Sequence, residues 1–116
     1  DIILNLKQIP IKIHVDHIKT LHLKADKAGE VKARVLVATG QADPMVPAEQ
    51  VSGFVSEMTA AGVDLQLLSF PGVKHSFTNP GADAVAERFD MPVGYDAHAD
   101  QASWEALMDF LAATPE

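Results

Sequence analysis

The chain is predicted to fold as an α/β domain with a small, mainly parallel sheet and flanking helices. Three observations predict this. Val35 to Thr39 (VLVAT) is a short, almost wholly apolar run, the pattern of a strand covered on both faces, and Leu65 to Phe70 (LQLLSF) is a compact apolar run of strand length. Between them, Val51, Phe54, Val55 and Met58 recur at i, i+3, i+4 and i+7, one apolar stripe of a helix. Strand, helix, strand in that order is a βαβ unit, which sets its two strands parallel.

Taken in order, residues 2 to 6 (IILNL) and 11 to 15 (IKIHV) favour strand through their β-branched content. The second alternates Ile11, Ile13 and Val15 with Lys12 and His14, the period of a half-buried strand. Residues 16 to 34 mix acids, bases and polar groups, and read as a long connection that holds at most a helical turn. After VLVAT, Gly40 ends the strand, and QADPMVP leads to a helix marked at its start by Pro47 and Glu49. Gly62 is its expected stop. The register of Leu65 to Phe70 puts Leu65, Leu67 and Ser69 on one face. Residues 80 to 99 are rich in Gly, Pro, Ala and Asp, an irregular stretch with a short helix near Asp83 to Arg88. A last helix is expected from Asp100 to Ala113, with Asp100 as N-cap and Trp104, Leu107, Met108 and Leu111 on a core-facing stripe.

Length and composition bound the function. At 116 residues and 47% hydrophobic content the chain is most simply one domain, 1–116, with a real core. A net charge of −7 argues against a nucleic-acid surface and against adsorption to anionic lipid, both of which rest on Lys and Arg. Zero cysteines remove disulfides, thiolate metal sites and cysteine nucleophiles together. The expected location is cytoplasmic, with no nucleic-acid or membrane partner. His14, His17 and His22 are clustered and His98 lies between Asp96 and Asp100, but they read as surface or loop residues and no metal or cofactor is expected.

Two ionisable residues follow the two apolar strands: Asp43 after VLVAT and His75 after LQLLSF. In open parallel sheets functional groups gather just beyond the carboxyl ends of strands. A carboxylate bonded to one ring nitrogen holds an imidazole in a single tautomer and stabilises its protonated form, so the other nitrogen acts as the base. The plainer reading is that Asp43 before Pro44 is turn chemistry and His75 a loop residue.

From Lys32 onward the chain resembles the dienelactone hydrolase family of α/β-hydrolases. The residues that carry the resemblance are VLVATGQADPMVPAEQV, FVSEMTAAGVDLQLLSFPGVKHSFTNP and YDAHADQASWEALMDFL; upstream, IKIHVDHIKTLHLKAD looks like a distorted preceding strand and loop. The resemblance implies that Asp43, in the G-x-x-D-P turn, is the triad acid and that His75, in the H-x-F segment, is the base. It also implies two parts, a divergent 1–31 and a hydrolase-like C-terminal half at 32–116. The departures are as informative. The family's nucleophile sits on a glycine-flanked strand-to-helix elbow, and no G-x-C-x-G or G-x-S-x-G occurs in these residues. The position of a substrate-carboxylate Arg, four residues after the histidine, is Asn79.

The expectation is therefore a truncated α/β-hydrolase-like domain with a vestigial acid and base and no nucleophile. It is more simply a self-associating or small-molecule-binding module than a self-sufficient hydrolase. Two alternatives stay open: an active ester hydrolase whose nucleophile comes from another chain, and a gene fragment without a selected function. A half-sheet leaves an unpaired edge, so a homodimer is expected, with the strand at 2–6 or 11–15 completing the partner's sheet.

Overall fold

The computed structural model describes residues 2–6, 9–13 and 31–113. Two N-terminal strands, β1 (Ile2–Leu6) and β2 (Ile9–Ile13), are followed by β3 (Arg34–Gly40), α1 (Ala48–Ala60) and β4 (Leu65–Phe70). Two further helices close the chain, α2 (Ala82–Phe89) and α3 (Ala97–Ala112). The four strands form one sheet in the order β2-β1-β3-β4. β3 and β4 are the parallel pair that the βαβ pattern predicts, in the register Val35↔Leu65 to Gly40↔Phe70. β1 joins β3 antiparallel, with Ile2 opposite Val37, and β2 returns antiparallel on β1. The edge of β3 expected to receive a partner's strand is thus occupied by the chain's own β1. Only two residues separate β1 from β2, so a hairpin is the local solution, and it brings its own edge to the sheet.

β3 is covered on both faces, as its composition requires. Val35 and Val37 pack with Phe54 and Met58 of α1, joined by Val63 and Leu65. Leu36, pointing the other way, packs with Phe110 of α3 and with Leu68, Leu107 and Leu111. Arg34 extends this second layer: its guanidinium lies 4.5 Å from the centre of the Phe110 ring and pairs with Asp64 at 3.0 Å.

Helix ends follow local chemistry. α1 stops in a Schellman arrangement: Val63 N–H donates to the Met58 carbonyl at 2.9 Å and Gly62 N–H to that of Thr59 at 3.1 Å. Gly62 sits at φ +71°, where a side chain would be strained, which is why it is the stop the sequence announces.

Two expectations about α3 are corrected. Its N-cap is Asp96, whose carboxylate accepts from Ala99 N–H at 2.8 Å, so the helix begins three residues before the predicted Asp100. Asp100 is spent elsewhere, accepting the Tyr95 hydroxyl at 2.8 Å. The apolar stripe also splits: Leu107 and Leu111 face the sheet, whereas Trp104 is 60% exposed and Met108 40%. Sixteen residues of helix lie over a narrow sheet, so only one side of the stripe finds a surface. His14, His17 and His22 fall outside the described residues; His98 is exposed on α3. No group of three or more metal-ligating side chains converges among the described residues. No helix among them is long and apolar enough to cross a membrane.

Candidate active site

The loops that leave β3 and β4 are held together by their backbones. Gln41 N–H donates to the Phe70 carbonyl and Ala42 N–H to the Val73 carbonyl, both at 2.9 Å. This crossing is possible because residue 40 is glycine: a Cβ there would lie 2.2 Å from the Val73 oxygen. Such contact does not occur between a side chain and a backbone carbonyl, so the two loops meet this closely only over a glycine.

On that platform Asp43 and His75 meet. Asp43 Oδ2 lies 2.8 Å from His75 Nδ1, with the Asp43 side chain 6% exposed and that of His75 15%. The other carboxylate oxygen, Oδ1, accepts from Met45 N–H at 2.8 Å, an Asx turn around Pro44. Turn chemistry and pairing are therefore both true of Asp43, one oxygen for each. The carboxylate is clamped by its own turn before it meets the imidazole. Since an ionised carboxylate only accepts, this contact places the ring proton on Nδ1 when the two are hydrogen-bonded.

His75 is positioned by elements that follow it. Gly94 N–H donates to the His75 carbonyl at 3.1 Å, within a parallel bridge between His75 and Val93. Asp96 N–H donates to the Phe77 carbonyl at 3.1 Å. Between them Ser76 adopts φ +62°, a left-handed conformation that costs an L-residue about 1–2 kcal/mol. It reverses the chain so that His75 turns to Asp43 while Phe77 enters the core with Val73 and Ala99. The segment at residues 93–96 is in turn tied to α2, where Asp83 Oδ1 accepts from Tyr95 N–H at 3.0 Å. Of this scaffold only the short helix near Asp83 to Arg88 was legible in the sequence, and it stands as α2. Serine is not a residue that announces positive φ, and the rest of 80–99 reads as irregular because it is held by single backbone and side-chain bonds without a period.

Strand order, parallel pair, helix crossover and the Asp43–His75 contact thus stand in one arrangement. The model of the dienelactone hydrolase family matches residues 14–114. The chain belongs to that family. An uncharacterized protein of Caenorhabditis elegans is 38% identical over 77 residues, which cover 66% of this chain and 47% of that protein. A dienelactone hydrolase-like promiscuous phosphotriesterase, P91, from metagenomic libraries has a structure similar over 73% of this chain and 34% of its own. The TM-score is 0.66 and the identity 32%. A dienelactone hydrolase candidate from Klebsiella pneumoniae subsp. pneumoniae shares the fold at a TM-score of 0.54 and 18% identity, over 29% of its length. The chain spans about half the length of the curated relative and about a third of these solved structures.

Proposed function

We propose that Asp43 and His75 are the acid and base of a carboxylic ester hydrolase of the dienelactone hydrolase type, serving a nucleophile that lies outside these 116 residues. The observation that supports this reading most is the 2.8 Å contact between a buried carboxylate and the ring it orients. The clamped carboxylate, the left-handed Ser76 and the Gly40 crossing all serve to hold that contact, which supports a use for it. In the proposed reaction Nε2 of His75 takes the proton of the nucleophile as it attacks the ester carbonyl, then returns it to the leaving alcohol. Asp43 holds the ring and stabilises the imidazolium formed in between.

The competing reading is a hydrolase-derived module that binds itself or a small molecule without turnover. It draws on the apolar groove between α1 and β4, lined by Val51, Val55 and Leu67, which offers a binding surface apart from Asp43 and His75. Ester turnover decides between them, measured on an activated aryl ester for this chain alone and together with the polypeptide encoded immediately upstream of it. A phosphotriester is the second probe, given the similarity to P91. The expected result is turnover in the combination only, falling by about 10²–10⁴ in both His75→Ala and Asp43→Asn. Turnover that survives both substitutions, or none in the combination, rejects the proposal in favour of the module.

A further inference from the structure

We propose that the outer edge of β4 is a self-association surface, on which β4 of a second copy pairs antiparallel about a twofold axis. Among the described residues the sheet has two outer edges, and they differ. β2 (IPIKI) carries Pro10 and Lys12, the residues that ordinarily guard an edge against pairing. β4 (LQLLSF) has no charge and no proline in six residues. An edge so composed is unprotected.

Its geometry then selects the occupant. Val35 N–H donates to the Asp64 carbonyl at 2.8 Å and Gln41 N–H to that of Phe70 at 2.9 Å, so the even-numbered residues turn their peptide groups toward β3. By strand alternation, Leu65, Leu67 and Ser69 turn theirs outward. Leu65 packs against the α1 cluster, which places the side chains of Leu67 and Ser69 on that same face. There they line a groove of about 600 Å³ with Val51 and Val55 of α1, and no charged side chain lines it. Leu67 is 38% exposed at its floor. The surface thus asks for an extended strand with apolar residues at alternate positions.

β4 itself meets that description, and its centre makes it self-complementary. With Leu67 opposite Leu67 of the second copy, Leu65 falls opposite Ser69, and every outward peptide group meets an outward peptide group. The two Leu67 side chains become cross-strand neighbours on the α1 face, closing the two grooves against each other. The interface is isologous, as a twofold dimer requires. The edge lacks the repulsion that the chain's net charge of −7 creates elsewhere.

Light scattering at micromolar concentration is expected to give twice the chain mass, and Leu67→Lys, which sets two cations face to face, a monomer with unchanged circular dichroism. Because the chain has no cysteine, a second variant reads the register directly. Opposed residues of such a pair have Cα atoms about 5.5 Å apart, within disulfide range. Leu67→Cys is expected to oxidise to a covalent dimer and Lys12→Cys, on the guarded edge, to stay a monomer. A wild-type monomer, or cross-linking at position 12 instead of 67, overturns the proposal.

Discussion

Asp43 divides its two oxygens between a turn and a histidine, and the division predicts which substitution separates folding from chemistry. Asn in its place keeps an acceptor for Met45 N–H and so keeps the Asx turn, but presents an amide to Nδ1 where a carboxylate stood. That is why Asp43→Asn, and not a larger change, is the informative variant. Tyr95 offers a second test at this scale. Its hydroxyl donates to Asp100, and this bond, with the negative charges of Asp100 and Asp96 beside it, raises the phenol above its ordinary 10.0. The folded chain therefore holds the proton more tightly than the unfolded one. The stabilisation is complete below the unfolded value and is lost as pH rises through the higher folded value. Tyr95 is the chain's one tyrosine, so phenolate absorbance reports it alone. The titration midpoint should lie above 10.0 in the native protein and move down toward it in Asp100→Asn; a midpoint indifferent to that substitution refutes the assignment.

Among the elements, α3 depends on its cap more than its length suggests. Asp96 satisfies Ala99 N–H at the end of the helix that carries Phe110 under Leu36. Asp96→Ala should cost about 0.5–2 kcal/mol in denaturant unfolding at neutral pH, with an unchanged slope. The buried face of α1 is less forgiving. Met58 is fully buried against β3, and Met58→Ala should cost about 2–5 kcal/mol. β3, β4 and α1 were legible in the sequence because each has a pattern and a stop of its own: VLVAT is almost wholly apolar, LQLLSF mostly so before Pro71 and Gly72, and Gly62 needs positive φ. The start of α3 was not, since Asp96 and Asp100 are both residue types that cap helices, and it is Asp96 that the backbone bond to Phe77 holds in the extended form a cap needs. The outward face of Trp104 was hidden for another reason. Helical spacing identifies a stripe but not how much sheet lies beneath it.

For the whole molecule, the parallel pair and the loops that carry Asp43 and His75 form one unit, and the antiparallel hairpin β1–β2 extends the sheet on the opposite side from β4. The pairing of Asp43 with His75 could be expected from their places after two strands, because strand ends are where a parallel sheet gathers its loops. The side on which the sheet would be completed could not, because β1 and β2 carry no signal of whose sheet they join. With β3 filled from within, the unguarded edge among the described strands is that of β4, at the far side from the hairpin and on the strand that leads to His75.

The glycine crossing at Gly40 also has a dynamic consequence. Separating Asp43 from His75 by a loop motion would have to break the Gln41–Phe70 and Ala42–Val73 bonds, which continue the ladder of the β3–β4 pair. The amide protons of Gln41 and Ala42 should therefore exchange with solvent on the schedule of the strands, not of a surface loop. The contact between Asp43 and His75, held this way, opens only when the domain opens.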